Sequence, residues 1–339
     1  MRISLAKPNI SFLERAYVDK SLKEGWITSS GPFHKKFEQY LTDNQGRPTI
    51  ATSSGTTAIL LALIAAGVRA YDKVIMPTLT FGTPASCVRL LGAEPVFVDV
   101  DENGLMLPGP HFARVPKVVM PTHLYGMKAQ TWYGGIPVIE DSCEAFGIVS
   151  PTADYTCYSF FANKHITTGE GGALATNKGI DYIRMLRDGG FDEDYDMLVP
   201  GLNFCMTEMQ AAIGCAQMER LNNLLFIRER NILYYQSQLK GFGKWLFVAR
   251  VKDPANTKRE LAKLGVETRR VFKPLHLSPA FGCKGSFPVA EDIYNHGLCL
   301  PTGHVTLEEV DYICDAIKRI ERGAPNINPP AKTEGYIPA

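Results

Sequence analysis

The chain has no C-x-x-C pair, no uncharged apolar run of about 18 residues and almost no net charge, and each absence removes a class of protein. Its eight cysteines (Cys87, Cys143, Cys157, Cys205, Cys215, Cys283, Cys299 and Cys314) are scattered through 339 residues. A chain of that length builds a core without disulfide staples, so a reducing compartment is expected. The opening MRISLAKPNISFLERAYVDK is too polar for a leader, so neither signal peptide nor membrane span is expected and the location is expected to be cytoplasmic. Lys+Arg 36 against Asp+Glu 35 gives a formal charge of +1, which leaves no global field to draw the chain to nucleic acid or an anionic membrane. Any phosphate must be held locally. There is no Walker or G-x-G-x-x-G pattern, and no second His or Cys stands at metal-ligand spacing, so no metal site is expected.

What is present describes a globular α/β protein, 45% hydrophobic and 21% charged. From about 50 to 180, short β-branched runs alternate with helical or irregular stretches: KVIMP at 73–77, EPVFVDVD at 94–101, PKVVMPTH at 116–123, PVIEDS at 137–142 and YTCYSFF at 155–161. Continuous apolar runs joined by crossovers predict a mainly parallel sheet covered by helices, with chemistry at the strand carboxyl ends. A helical stretch over about 206–240 follows, spaced by threes and fours without internal proline. WLFVARV at 245–251, TKRELAKLG at 257–265 and TLEEVDYICDAIKRIE at 306–321 predict a small α+β domain. The expected division is a large domain over 1–235, with its N-terminal segment packing near the small domain, a small domain over 236–323, and a loosely ordered proline-rich tail over 324–339.

Three segments carry candidate chemistry. In TSSGTTAILLAL at 52–63, Gly55 and Thr56 open a helix whose free N–H groups and dipole favour an anion; simple capping by Ser or Thr explains the segment alone at least as well. In PVIEDSCEAFG at 137–147, Asp141 ends a buried strand, where a carboxylate is costly unless it meets a cation such as a protonated pyridine nitrogen. Capping of the next helix is the competing explanation. In YSFFANKHITTGEGGALAT at 158–176, a strand delivers Ser159, and Lys164 then stands in a polar, glycine-flanked loop. Desolvation there lowers an amine's affinity for its proton, as a Schiff-base lysine requires, although most lysines are solvated surface charges.

Taken together these segments resemble the DegT/StrS-type sugar aminotransferases, pyridoxal 5′-phosphate (PLP) enzymes of the type I aminotransferase fold. The likeness runs in order through EGWITSSGP, SSGTTAILLAL, PTLTF, GAEPVFVDVD, PTHLYG, IEDSCEAFG, SFFANKHITTGEGG, GLNFCMTEMQAAIGCAQMERL, VETRRVFKPLHLSPAF and LPTGHVTLEEV. The resemblance implies that Lys164 holds PLP as a Schiff base and shuttles a proton, and that Asp141 keeps the pyridine nitrogen protonated. It also implies that Glu144 stands near the phenolic oxygen, where a carboxylate needs a proton or a shared hydrogen. Phe81 would stack on the ring, core packing being the alternative. Gly55, Thr56 and Ser159 would hold the phosphate, and Asn203 would reach the phosphate of a neighbouring subunit, implying a homodimer.

The implied reaction is amino transfer from L-glutamate to a nucleotide-linked keto sugar through pyridoxamine phosphate (PMP), most like perosamine-synthase-type members acting at C4 of a GDP-4-keto-6-deoxy sugar. Arg269 would meet the nucleotide phosphates and His276 would line the sugar site, against a surface arginine and a structural histidine. A dehydratase of the same family carries His in place of the lysine, whereas here His165 only neighbours Lys164. A non-catalytic PLP-binding regulator would lose Lys164 or Asp141, and neither is lost. Two departures stand out: Cys205 replaces a frequent arginine and reads as a packed residue, not a nucleophile, and the segments after PTHLYG and EAFG are short.

Overall fold

The computed structural model of the chain describes residues 2–107, 115–131, 133–149, 151–192, 194–283 and 285–323, and the tail expected over 324–339 lies outside them. Two helices, α1 (Phe12–Lys23) and α2 (Pro32–Gln45), precede strand β1 (Thr49–Thr52) and helix α3 (Gly55–Ala65). Then come β2 (Lys73–Pro77), α4 (Thr83–Leu90), β3 (Glu94–Val98), β4 (Val118–Val119), β5 (Ile139–Asp141), β6 (Tyr155–Ser159) and β7 (Gly172–Thr176). The sheet order is β3-β2-β4 and β1-β7-β6-β5, and parallel bridges Val119 to Val138 and Thr122 to Asp141 join the two into one surface. All pairings are parallel except those of β7, which is antiparallel to both β6 and β1. The sheet is mainly parallel, as expected from the apolar runs, and the antiparallel β7 enters because the GEGG turn returns the chain beside β6 without a crossover.

Helix α3 has the sequence GTTAILLALIA, apolar nearly all round, and it is buried on several sides against β5, β6 and β7. Its start is fixed by a capping box in which Ser54 Oγ accepts from Thr57 N and Thr57 Oγ1 accepts from Ser54 N. A Cβ on Gly172 would lie 2.4 Å from the Ser54 carbonyl group, so β7 reaches this helix end only because position 172 has no side chain.

After α5 (Ile180–Arg187), the helical stretch expected over 206–240 is two helices, α6 (Glu208–Glu219) and α7 (Leu221–Gln238), breaking at Arg220. The remainder forms an antiparallel sheet, β10-β11-β9-β8, from β8 (Gly241–Phe242), β9 (Phe247–Arg250), β10 (Arg269–Arg270) and β11 (Gly297–Leu300). Helices α8 (Pro254–Lys263), α9 (Pro288–His296) and α10 (Leu307–Glu321) complete it. Ile3 bridges Val266, bringing the start of the chain to this layer. A cluster containing Leu79, Leu124, Tyr125, Phe242, Trp245, Val271 and Cys299 packs the second sheet against the ends of the first. Among the described residues no helix is long and apolar enough to cross a membrane.

Candidate active site

A cavity of about 380 Å³ opens at the carboxyl ends of the parallel strands, between the two sheets. Its wall brings together Gly55, Thr56, Phe81, Asp141, Glu144, Ser159, Lys164 and Arg269, eight positions dispersed over more than 200 residues of sequence.

At one end lies the start of α3. Gly55 and Thr56 sit in its first turn, where backbone N–H groups have no acceptor within the helix. A Cβ on Gly55 would come 2.8 Å from Ser159 Cβ and 2.9 Å from Cys143 Sγ, so the bare glycine lets the helix end meet β6 directly. The surroundings favour a small anion.

Asp141 is the last residue of β5 and is 3% exposed. Its Oδ1 accepts from Cys143 N at 3.1 Å, and among the described residues no Lys, Arg or His pairs with it. A buried carboxylate in a cavity wall without a cation is costly, and a protonated heterocyclic nitrogen in the cavity removes that cost. The capping alternative is met only by the bond to Cys143.

Lys164 Nζ lies 3.6 Å from Glu144 Oε1 and 4.2 Å from the centroid of the Trp245 ring. Its loop is held by Lys164 N donating to Phe161 O, and by Trp245 Nε1 donating to Asn163 O, both at 2.9 Å. Glu144 Oε2 accepts from Tyr125 N at 2.8 Å. That N–H points inward because Tyr125 adopts the left-handed region (φ 51, ψ 27), uncommon for a bulky residue. Burial pushes the Glu144 carboxyl above the usual range, opposed by Lys164, Tyr125 N and Arg269 and reinforced by Asp141.

Phe81 is 57% exposed, its ring 5.7 Å from that of Phe272, so it belongs to the cavity mouth and not to the core. Arg269 lies over Phe272 and Trp245, 4.7 and 5.8 Å from their centroids. Its Nε and Nη2 are buried without partners among the described residues, leaving hydrogen-bond donors for an anionic ligand.

Two expected positions lie elsewhere. His276, expected in the sugar site, is outside the cavity wall: its Nδ1 is 2.7 Å from Thr78 Oγ1, its Nε2 3.2 Å from Glu291 Oε1, and its ring packs on Phe287. Both ring nitrogens are engaged, which is the structural reading. Asn203 is exposed, with Oδ1 accepting from Cys205 N at 3.2 Å, and in its own chain it does not line the cavity. Cys205 Sγ donates to Asp188 Oδ1 at 3.2 Å, and burial together with that carboxylate pushes the thiol up to about 11, so it is not a thiolate nucleophile. His165 is buried and kept neutral, first by burial and then by Arg228. Among the described residues no cluster of His, Cys, Asp or Glu fits a metal.

The sequence reading missed Trp245, Tyr125 and Phe272. Trp245 stood in an unremarkable strand-like run, and no spacing rule connects it to a lysine 81 residues earlier.

The residues fit PLP: an anion end at α3, an unpaired buried carboxylate, and a nearly buried lysine share one cavity. The model of the DegT/DnrJ/EryC1/StrS aminotransferase family matches residues 8–318. GDP-perosamine synthase of Caulobacter vibrioides is 35% identical, over 91% of this chain and 95% of that protein. GDP-perosamine synthase of Escherichia coli O157:H7 is 32% identical over 93% and 97%. Spr1654 of Streptococcus pneumoniae, solved in PMP- and PLP-forms, superposes with TM-scores of 0.87 and 0.86 at 26% identity, covering 96% of this chain and 98% and 100% of those chains. By a family match that spans nearly its whole length, and with the α/β layering expected from the strand pattern and the type I fold implied by the resemblance, the chain belongs to the DegT/DnrJ/EryC1/StrS aminotransferase family.

Proposed function

We propose that this protein is a PLP-dependent aminotransferase that moves an amino group from L-glutamate to C4 of a GDP-4-keto-6-deoxy sugar. The observation that carries the reading is a buried, cation-free Asp141 and a nearly buried Lys164 in the wall of one cavity at the head of α3. PLP, when bound, supplies an electron sink and a carrier of the amino group, alternating with PMP.

Lys164 is the residue that anchors the cofactor and moves the proton, its amine steadied by Glu144 and the Trp245 ring. Asp141 holds a proton on the ring nitrogen. Gly55, Thr56 and Ser159 take the phosphate, and Phe81 covers the ring from the cavity mouth. Glu144, whose burial favours its protonated form, donates toward the phenolic oxygen. Arg269 offers its two unpartnered nitrogens, Nε and Nη2, to the nucleotide phosphates. Asn203, facing outward in its own chain, completes the neighbouring site of a homodimer. We assign residues 1–235 to the cofactor domain and 236–323 to the small domain, and place the protein in the cytoplasm. The choice of GDP sugar and of C4 is supported by the relatives named GDP-perosamine synthase, at 35%, 32% and 28% identity.

The test is the absorption spectrum of protein with PLP, before and after L-glutamate, for wild type and Lys164→Ala. A band at about 400–430 nm is expected from lysine-bound cofactor, bleached by glutamate and absent in the variant. Turnover of GDP- against UDP-linked keto sugars then tests the acceptor. A wild type without the band, or with one that no amino acid bleaches, overturns the reading.

A further inference from the structure

Behind Lys164, on the side away from the cavity, helix α7 carries Arg228, 8% exposed and without a carboxylate partner among the described residues. Burial lowers its pKa only to about 10, so it remains a cation at neutral pH. A buried guanidinium that is not neutralised has to be hydrogen-bonded well to persist. Its donors go to three separate segments. Nη2 donates to the Lys164 carbonyl at 2.9 Å, and Nη1 donates to the Trp245 carbonyl and to Thr302 Oγ1, each at 3.3 Å.

The acceptors are themselves linked. Thr302 Oγ1 donates to the Trp245 carbonyl at 2.5 Å, and the Trp245 indole both donates to Asn163 O and lies under the Lys164 amine. One turn along α7, Asn231 Nδ2 donates to the carbonyls of Thr302 and Val305, at 2.9 and 2.8 Å. Gly303 makes the approach feasible, since a Cβ there would come 3.0 Å from Nη2. The planar fork of arginine serves these divergent oxygens at once, which a lysine ammonium at the same place does not reproduce.

We propose that Arg228 is a positioning residue for Lys164: it ties the main chain of the lysine to that of Trp245 and holds a positive charge behind the amine. The inference rests on the reading of Lys164 as the cofactor's lysine. The charge acts among several others. Around the amine stand Glu144 at 3.6 Å, Asp141 and the Cys143 thiol in the same cavity wall, and Arg269 over the same Trp245 ring. Facing Arg228 are His165 and His304, both held neutral by burial first and by Arg228 second, with Lys7 acting more weakly on His304. Of the two cations on this side, Arg228 and Lys7, only Arg228 reaches the Lys164 main chain.

The experiment uses Arg228→Met, Arg228→Lys and Thr302→Val. Hydrogen exchange of the cofactor-free proteins is followed over 163–168 and 244–246, and the pH midpoint of the visible band is read after PLP loading. In Arg228→Met, exchange in those two segments is expected to rise about tenfold with β6 and β7 unchanged, and the midpoint to move up by about half a unit or more as the cation is lost. Arg228→Lys is expected to restore the midpoint and not the exchange. Thr302→Val, which keeps the charge and removes one acceptor, loosens 244–246 at an unchanged midpoint. Wild-type exchange and midpoint in a folded Arg228→Met overturn the proposal; if that variant does not fold, wild-type exchange in both other variants overturns it. A wild type that forms no visible band defeats the reading of Lys164 instead, and the exchange comparison still reports on Arg228.

Discussion

Glu144 Oε1 stands 3.6 Å from Lys164 Nζ while Glu144 Oε2 takes the N–H of left-handed Tyr125, so the carboxyl joins the candidate cofactor lysine to a strained backbone turn. Because burial raises the Glu144 pKa, the folded state favours the protonated form, and this contribution is present at acid pH and lost as pH rises through the folded pKa. Glu144→Gln removes that titration. As pH rises from 4.5 toward 7, wild type is expected to lose stability relative to Glu144→Gln. Urea unfolding of both proteins across this range measures it, and parallel curves contradict it.

The Asp141 carboxylate accepts from Cys143 N and has no cation partner among the described residues. Asn at this position keeps an acceptor for Cys143 N and removes a buried charge. Asp141→Asn is therefore expected to leave cofactor-free stability within about 0.5 kcal/mol of wild type or above it, while the glutamate-driven loss of the visible band slows by about 100-fold or more. A slowed reaction in an equally stable protein separates function from folding; an unchanged rate removes Asp141 from the chemistry.

Glu38 behaves oppositely. Burial works against its charged form, but Arg187, with Nη1 2.6 Å from Oε1, and Arg184, 2.8 Å from Oε2, hold its pKa below the usual value. Its stabilisation is thus present above about pH 4.5 and lost as pH falls through the folded pKa. Glu38→Gln removes one of the two carboxylates on buried Arg187 and leaves Asp188, at an expected cost of about 2 kcal/mol at pH 7. Thermal unfolding should show the gap narrowing below pH 4.

Gly172→Ala places a methyl 2.4 Å from the backbone of Ser54 and 2.6 Å from Gly55 N. Neither atom belongs to a flexible side chain. A loss of about 3 kcal/mol is expected, together with weaker PLP retention, because the displaced atoms form the anion end of the cavity. Calorimetry and equilibrium dialysis of PLP check the two halves.

Among the cysteines only Cys283 is exposed, and burial raises the pKa values of Cys87, Cys143, Cys157, Cys205, Cys215, Cys299 and Cys314. Titration of the native protein with a thiol-specific disulfide at pH 8 is expected to show one fast equivalent, lost in Cys283→Ser. A second fast equivalent retained in that variant would contradict the shielding of the two half-buried thiols, Cys143 and Cys205.

The strands, the α3 start and the candidate positions Lys164 and Asp141 are legible in the residues themselves. Apolar runs, a Ser/Thr cap before an apolar helix, and a carboxylate or lysine just past a strand end are local patterns, and local sterics and hydrogen bonding act over a few residues. The reversal at β7 is marked only by glycines, and the break at Arg220 by nothing periodic. What surrounds Lys164 belongs to tertiary structure: Trp245, Arg269 and Phe272 come from the second layer, and Arg228 from a helix between the two. Their arrival depends on how the aromatic cluster around Tyr125 and Trp245 packs one sheet on the other. The same packing turned His276 toward Thr78 and Glu291 and left Asn203 facing outward. Residue types and their order along the chain determined which chemistry was available; close packing between segments far apart in sequence decided which side chains share the cavity, because packing energy depends on shape complementarity that no single segment contains.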